Sequence, residues 1–136
     1  MIIHRSYLNG LVVSDFDGTL SKKHATNIAG IKLVNSLKDH GLFGEVEYRE
    51  FLSVQKNYQD NKITYENFIC YLSQLYARGL RGVSRRDVED VAIEVAETII
   101  LRDGVTDMIE WFINHGFTLI LISASPIEII TLNRKK

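Results

Sequence analysis

Two aspartates separated by one residue, Asp15 and Asp17, are the residues whose types and spacing most directly suggest chemistry. They follow the apolar stretch Leu11-Val12-Val13 and precede Gly18-Thr19. In an extended chain, residues i and i+2 lie on the same side, so both carboxylates are expected to face one site. Two such carboxylates attract a hard cation such as Mg2+. One carboxylate can also act as a nucleophile that forms an aspartyl-phosphate, and a second can shuttle a proton.

A second polar group of residues follows a second apolar run, Phe117 to Ile122. Ser123 ends this run, Ser125 suits a helix N-cap, and Pro126 suits the first helical position. A hydroxyl together with the N–H groups of a helix N-terminus forms a corner that can bind phosphate. If the two strands are adjacent, this corner faces the carboxylate pair. That combination is typical of phosphoryl transfer, in which catalysis is mainly positioning and charge neutralisation.

The residues between the two strands have helical rather than extended periodicity. Five helices are predicted. The first runs from near His24 to a stop at Gly41, the second lies around Tyr48 to Gln55, and the third runs from Thr64 to Gly79. The fourth follows a capping box at Ser84 to Asp87, and the fifth covers Val105 to Phe112. A single crossover between parallel strands does not need so many helices. The pattern therefore predicts an α/β protein with parallel strands and a helical insertion directly after the first strand.

Composition and charge exclude several broad classes of function. The chain has 136 residues and a formal net charge of -1, so no overall field favours nucleic acid or an anionic membrane as a partner. Cys70 is the only cysteine and cannot form an internal disulfide. With no signal-peptide pattern at the N-terminus, this predicts a cytoplasmic location. The apolar run at 117–122 is far too short to span a bilayer.

Both polar stretches resemble motifs of one enzyme family. Asp15-Phe16-Asp17-Gly18-Thr19-Leu20 resembles the first motif of the haloacid dehalogenase (HAD) superfamily of phosphatases, and Ile122-Ser123-Ala124-Ser125-Pro126 resembles its second. The helical insertion resembles the cap of the phosphoserine-phosphatase branch. The resemblance implies a partial Rossmann-like HAD core at residues 1–20 and 101–136, with a helical cap at residues 21–100.

The resemblance also implies roles for individual residues. Asp15 would be the nucleophile and Asp17 the general acid/base, and the same two residues would bind Mg2+. The phosphate-binding residues would be Gly18, Thr19, Ser123 and Ala124. The implied function is Mg2+-dependent hydrolysis of a small phosphomonoester, a small phosphorylated metabolite, through an aspartyl-phosphate.

Two departures from the family pattern shape these expectations. The family's later lysine and acidic motifs are expected well beyond Pro126, and only ten residues follow it here. We therefore expect a chain that is incomplete with respect to the family, nearly inactive alone, and able to form homo-oligomers through exposed strand edges. The branch implies a phosphoserine-like substrate, yet Lys22-Lys23-His24 lacks the carboxylate that would engage an amine, which leaves the substrate open.

Simpler interpretations stand beside these hypotheses. The alternative function is a non-catalytic HAD-derived module that binds phosphate or a protein. Taken alone, Ser123 is equally well explained as a turn serine. The basic, aromatic and sulfur-containing residues of the insertion are expected to be structural: solvated arginines at 78, 81, 85 and 86, core aromatics at 65, 68, 71 and 76, and a buried Cys70. His24 is close enough to the first motif to be tested as a substrate contact.

Overall fold

The computed structural model describes residues 10–24 and 28–123 and has a mixed α/β architecture. Within those residues the chain forms five helices and a two-stranded sheet. The elements in order are β1 (Gly10–Ser14), α1 (Ala29–Asp39), α2 (Glu45–Gln59), α3 (Tyr65–Gly79), α4 (Arg85–Thr98), α5 (Val105–Asn114) and β2 (Phe117–Leu121). The helix expected from Pro126 onwards lies outside the described residues.

The two strands are parallel, as the sequence predicted, and they are adjacent, which the sequence analysis had left as a condition. Their register pairs Gly10 with Phe117 and Ser14 with Leu121. The backbone N–H of Ile122 then donates to the carbonyl of Ser14 at 2.9 Å. Because parallel strands end at the same edge of a sheet, the residues after Ser14 and after Leu121 emerge side by side.

The prediction that β1 is a buried central strand was wrong for one of its faces. Leu11 and Val13 are 58% and 57% exposed, whereas Val12 between them is half-buried. A strand is buried on both faces only where other elements cover both faces. In the described part of the chain β1 pairs only with β2, and association of copies through strand edges stays a prediction that light scattering can test.

The main core lies in the helical insertion. Helices α2 and α3 pack together, and α1 packs against α4. The largest side chains that are almost fully buried include Phe51, Phe68, Leu33 and Leu37. Phe68, Leu72 and Leu75 form the buried stripe of α3 at the spacing of one helix face.

Local capping begins two of these helices as the sequence predicted. The hydroxyl of Thr64 accepts a hydrogen bond from the N–H of Asn67 at 3.2 Å. The hydroxyl of Ser84 accepts from the N–H of Asp87 at 3.1 Å and donates to its carboxylate at 2.7 Å. Such caps satisfy N–H groups that the helix itself leaves unbonded.

The start expected for α1 near His24 was wrong, because the helix begins at Ala29. No side chain of the preceding residue, Ile28, caps it. Instead the N–H of Ala29 donates to the carboxylate of Asp17, twelve residues earlier, at 3.4 Å. A contact from a separate segment therefore marks the start of this helix.

Three expectations about the side chains of α3 were also wrong. Cys70 is exposed, and Tyr65 and Tyr71 are 41% and 49% exposed. Cys70 follows Phe68 by two residues, which places it away from the buried stripe of the helix. The expectation of a core position is confirmed for Phe68, which is fully buried.

The chain enters and leaves the first four helices through two paired segments. Ser21 and Leu101 form an isolated antiparallel bridge. Around it, the N–H of Lys22 donates to the carbonyl of Ile100 at 2.8 Å, and the N–H of Arg102 donates to that of Leu20 at 2.9 Å. The boundaries predicted at residues 20/21 and 100/101 fall at this bridge, and their meaning as domain limits stays a prediction.

None of the helices in the described ranges has the length and apolar character needed to cross a membrane.

Candidate functional site

The loop after β1 is a compact turn held by buried apolar anchors. The carbonyl of Phe16 accepts hydrogen bonds from the N–H groups of Thr19, Leu20 and Ser21 at 3.2, 3.0 and 3.0 Å. Phe16 and Leu20 are 3% and 5% exposed. The apolar residues of this loop therefore fix it to the core, while Thr19 between them is exposed.

Gly18 occupies a backbone conformation that favours glycine, with a φ of 75°. Its N–H donates to the hydroxyl of Ser21 at 3.0 Å. Its carbonyl accepts from the guanidinium of Arg102 at 2.7 Å, across 84 residues of sequence. These bonds tie the turn both to its own following segment and to the segment that leaves the helical insertion.

Asp15 is exposed at the end of β1. Its carboxylate Oδ2 accepts a hydrogen bond from the hydroxyl of Thr19 at 3.2 Å. Its backbone carbonyl accepts from the hydroxyl of Ser14 at 2.8 Å. Thr19, one of the predicted phosphate-binding residues, thus contacts the carboxylate of Asp15.

Asp17 is half-buried and contacts the N-terminus of α1 through Ala29. A carboxylate at a helix N-terminus is favoured by the exposed N–H groups and by the helix dipole. The loop therefore gives its two carboxylates different surroundings: Asp15 is solvated and hydrogen-bonded within the loop, and Asp17 contacts α1.

A cleft of about 730 Å³ opens beside Asp17. Its lining comes from the loop and the following segment, from the residue before α1, and from α2 and α3: Asp17, Gly18, Lys22, Lys23, His24, Ile28, Tyr58 and Tyr65. Small-molecule sites have volumes of roughly 300–1,000 Å³, so the size suits a metabolite. Asp15 is not part of this lining.

Tyr65 lines the cleft and is influenced by the charges of both carboxylates. Burial raises the pKa of Tyr65, and the negative charges of Asp17 and Asp15 raise that pKa further. A carboxylate influences a phenol in this way only when it lies close enough for its field to be felt. Both aspartates therefore act on the same wall of the cleft, although only Asp17 lines it.

The second predicted phosphate-binding stretch is described only at its beginning. Ser123 is half-buried and lies two residues after the end of β2. Ala124 lies outside the described residues. The parallel register brings the segment that contains Ser123 to the same sheet edge as the loop that contains Asp15 and Asp17, so the strand adjacency on which the predicted site depended is present.

The described residues hold no group of three or more histidine, cysteine or acidic side chains that could bind a metal. Mg2+ often uses only one or two carboxylates, completing its shell with waters and substrate phosphate. The oxygen donors of Asp15 and Asp17 fit such a partial set.

The four arginines at 78, 81, 85 and 86 are exposed and are not among the residues that line the cleft. Arg78 contacts Glu50 at 2.8 Å, and Arg85 contacts Glu89 at 2.7 Å. The side chains of these two arginines and of their two glutamate partners are at least 45% exposed. Their expected role as solvated residues is confirmed.

Sequence reasoning did not identify Tyr58 and Tyr65 as residues that line the cleft, or the hydrogen bond from Arg102 to Gly18. Tyr58 and Tyr65 lie on opposite sides of the short turn between α2 and α3, with ring centroids 6.1 Å apart. The turn at residues 60–62 was recognisable, and it places aromatics on either side of it at one end of a helix pair. Nothing local could indicate that Arg102 reaches Gly18.

A scan against protein-family models, a search of curated proteins and a search of solved structures find no match to this chain. The family resemblance therefore depends on the motif residues themselves.

Proposed function

We propose that this chain carries the nucleophile loop of a Mg2+-dependent phosphatase of the HAD type, with a partial Rossmann-like core and a helical cap. The observation that carries the proposal is the parallel pairing of β1 with β2, which brings the Asp15–Thr19 loop and Ser123 to one sheet edge. In α/β proteins ligands bind beyond the carboxyl ends of the strands.

Asp15 is the group best suited to attack phosphorus. It is exposed, at the strand end, and hydrogen-bonded to Thr19, which orients its carboxylate. In-line attack would form an aspartyl-phosphate and release the substrate alkoxide. Water would then hydrolyse the acyl phosphate and regenerate the carboxylate.

Asp17 suits proton transfer. Its carboxylate lines the cleft and contacts the start of α1, so it would face a leaving group held there. As an acid it would protonate the departing oxygen, and as a base it would take a proton from the attacking water. Mg2+ held by Asp15 and Asp17 would supply neutralisation of phosphate charge.

The test is single-turnover phosphate release from small phosphomonoesters with Mg2+ at high protein concentration. We expect Asp15→Asn to lower the rate at least a thousandfold, since it removes the nucleophile, and Asp17→Asn to lower it by about 10²–10⁴. A matched control is Asp107→Asn, an exposed aspartate in the first turn of α5. Normal turnover by Asp15→Asn would overturn the mechanism.

A second candidate is a non-catalytic phosphate-binding or protein-interaction module. The basic residues of the cleft, Lys22, Lys23 and His24, favour it because they would attract an anion without any reaction. It predicts phosphate binding with no release of phosphate from any ester, and a bound-phosphate signal in ³¹P NMR that persists in Asp15→Asn.

A further inference from the structure

The cleft has three chemically different parts, and each limits the ligand. At one end lies Asp17 on the proposed phosphoryl-transfer loop. Beside it lie the basic residues of the segment that follows. The aromatic part of the lining consists of Tyr58 and Tyr65. The inference below rests on the proposed function, because it assumes that the phosphoryl group binds at the loop.

The basic part lies directly against the loop. A Cβ placed on Gly18 would be 3.5 Å from Cγ of Lys23, so the aliphatic stem of Lys23 covers the glycine. Lys22 also lines the cleft, and its ammonium lies 3.6 Å from the carboxylate of Asp103. The side chains of Lys22 and Asp103 are 50% and 99% exposed, and a pair so exposed to water is weak. The pair with Asp103 is therefore only a weak competitor for a ligand anion at Lys22.

The aromatic part packs against the core through Tyr58. The ring of Tyr58 stacks on Phe68 at a centroid distance of 4.6 Å and an interplanar angle of 14°. Phe68 is fully buried, so Tyr58 is held against the core. Tyr65 lies across from it at 54° and is 41% exposed, which leaves ring surface available to a ligand.

We infer that the cleft binds phosphomonoesters that carry an aromatic body and a second anionic group, such as a carboxylate. The body lies on the wall formed by Tyr58 and Tyr65, and the second anion is bound by Lys23 and Lys22. A substrate with a free amine at that position would instead face two positive charges, which disfavours it.

Three non-hydrolysable probes separate the parts of this inference when titrated calorimetrically into the full chain with Mg2+. Methylphosphonate reports the phosphoryl site alone. Benzylphosphonate adds the ring, for which we expect about threefold to tenfold tighter binding from aromatic contact. The 4-carboxy derivative of benzylphosphonate adds the second anion, for which we expect about a further tenfold.

Variants assign each gain to its side chains. Lys22→Met with Lys23→Met should reduce the gain from the carboxylate to less than about threefold, since both cations are removed. Tyr65→Ala should reduce the gain from the ring. The matched control, Arg86→Met, removes a positive charge from an exposed residue of α4 that does not line the cleft, and should keep both gains. Circular dichroism checks that each variant is folded.

The outcomes distinguish this inference from the proposed function. If no phosphonate binds, the phosphoryl site is absent and both are wrong. If methylphosphonate binds but neither addition tightens binding, the inference alone is wrong. A carboxylate gain that survives in the double lysine variant, or a ring gain that survives in Tyr65→Ala, also overturns the assignment.

Discussion

The helical insertion and the two-stranded sheet differ sharply in how well they cover their apolar residues. In the insertion, Phe51, Phe68 and Leu33 are at most 1% exposed. In the sheet, Leu11 and Val13 of β1 are more than half exposed. The insertion therefore holds most of the apolar burial that stabilises the fold, while β1 mainly supports the loop that follows it.

The proposed site lies where the loop after β1 contacts the helical insertion and the segment that leaves it. Asp17 contacts the start of α1, and Gly18 is bound by Arg102 where the chain returns from the insertion. The residues of the proposed chemistry thus follow the strand whose side chains Leu11 and Val13 are exposed, while α2 and α3 of the insertion contribute Tyr58 and Tyr65 to the cleft.

The largest expected effect is loss of stability in Phe68→Ala. This change removes a fully buried ring and leaves a cavity, so we expect about 3–5 kcal/mol less unfolding free energy. Val13→Ala, on the exposed face of β1, should cost less than about 1 kcal/mol. Urea denaturation measures both. Equal losses in the two variants would contradict the contrast between insertion and sheet.

A smaller loss of stability is expected when Gly18 is replaced. Gly18→Ala places a side chain at a φ of 75° and should cost about 1 kcal/mol. Gly82→Ala is the matched control, because its φ is 82° and nothing lies within 4 Å of its added Cβ. Both should lose similar stability in urea. Only Gly18→Ala should also weaken methylphosphonate binding, and an equal weakening in Gly82→Ala would argue against a role for the loop.

The smallest expected effect is a pH dependence that arises from Tyr65. Its pKa is raised by burial and by the two aspartates, whereas an unfolded tyrosine titrates near its ordinary value of about 10. The folded chain therefore keeps the phenol proton after the unfolded chain begins to lose it. The resulting stability is fully present below about pH 10 and is lost as the pH rises through the raised folded pKa.

Comparing Tyr65→Phe with the original chain isolates this term. Denaturation from pH 9 to 11 should show a shallower decline in the variant, since the group that titrates has been removed. Asp17→Asn should shift the tyrosinate absorbance change of Tyr65 to lower pH, because it removes one of the charges that raise its pKa. An unchanged titration in Asp17→Asn would mean that the carboxylate does not act on this wall.

Much of the fold was predictable because the relevant signals are local. Helical periodicity located α3 and α4, and the side chains of Thr64 and Ser84 marked where they begin. The apolar runs located both strands, and the polar residues Asp15, Asp17 and Ser123 follow their carboxyl ends. The exposed position of Cys70 was also available from the same periodicity that identified its buried neighbours.

Local patterns in the sequence are therefore enough to predict the order of the elements and the position of the Asp15–Thr19 loop after β1. The exposure of Leu11 and Val13, the contact of Asp17 with the start of α1, and the hydrogen bond from Arg102 to Gly18 depend on how distant segments pack. The difference lies in how far apart in the sequence the interacting residues are. Caps and periodicity depend on residues within a few positions of one another, whereas a hydrogen bond across 84 residues exists only after the helices between them have packed.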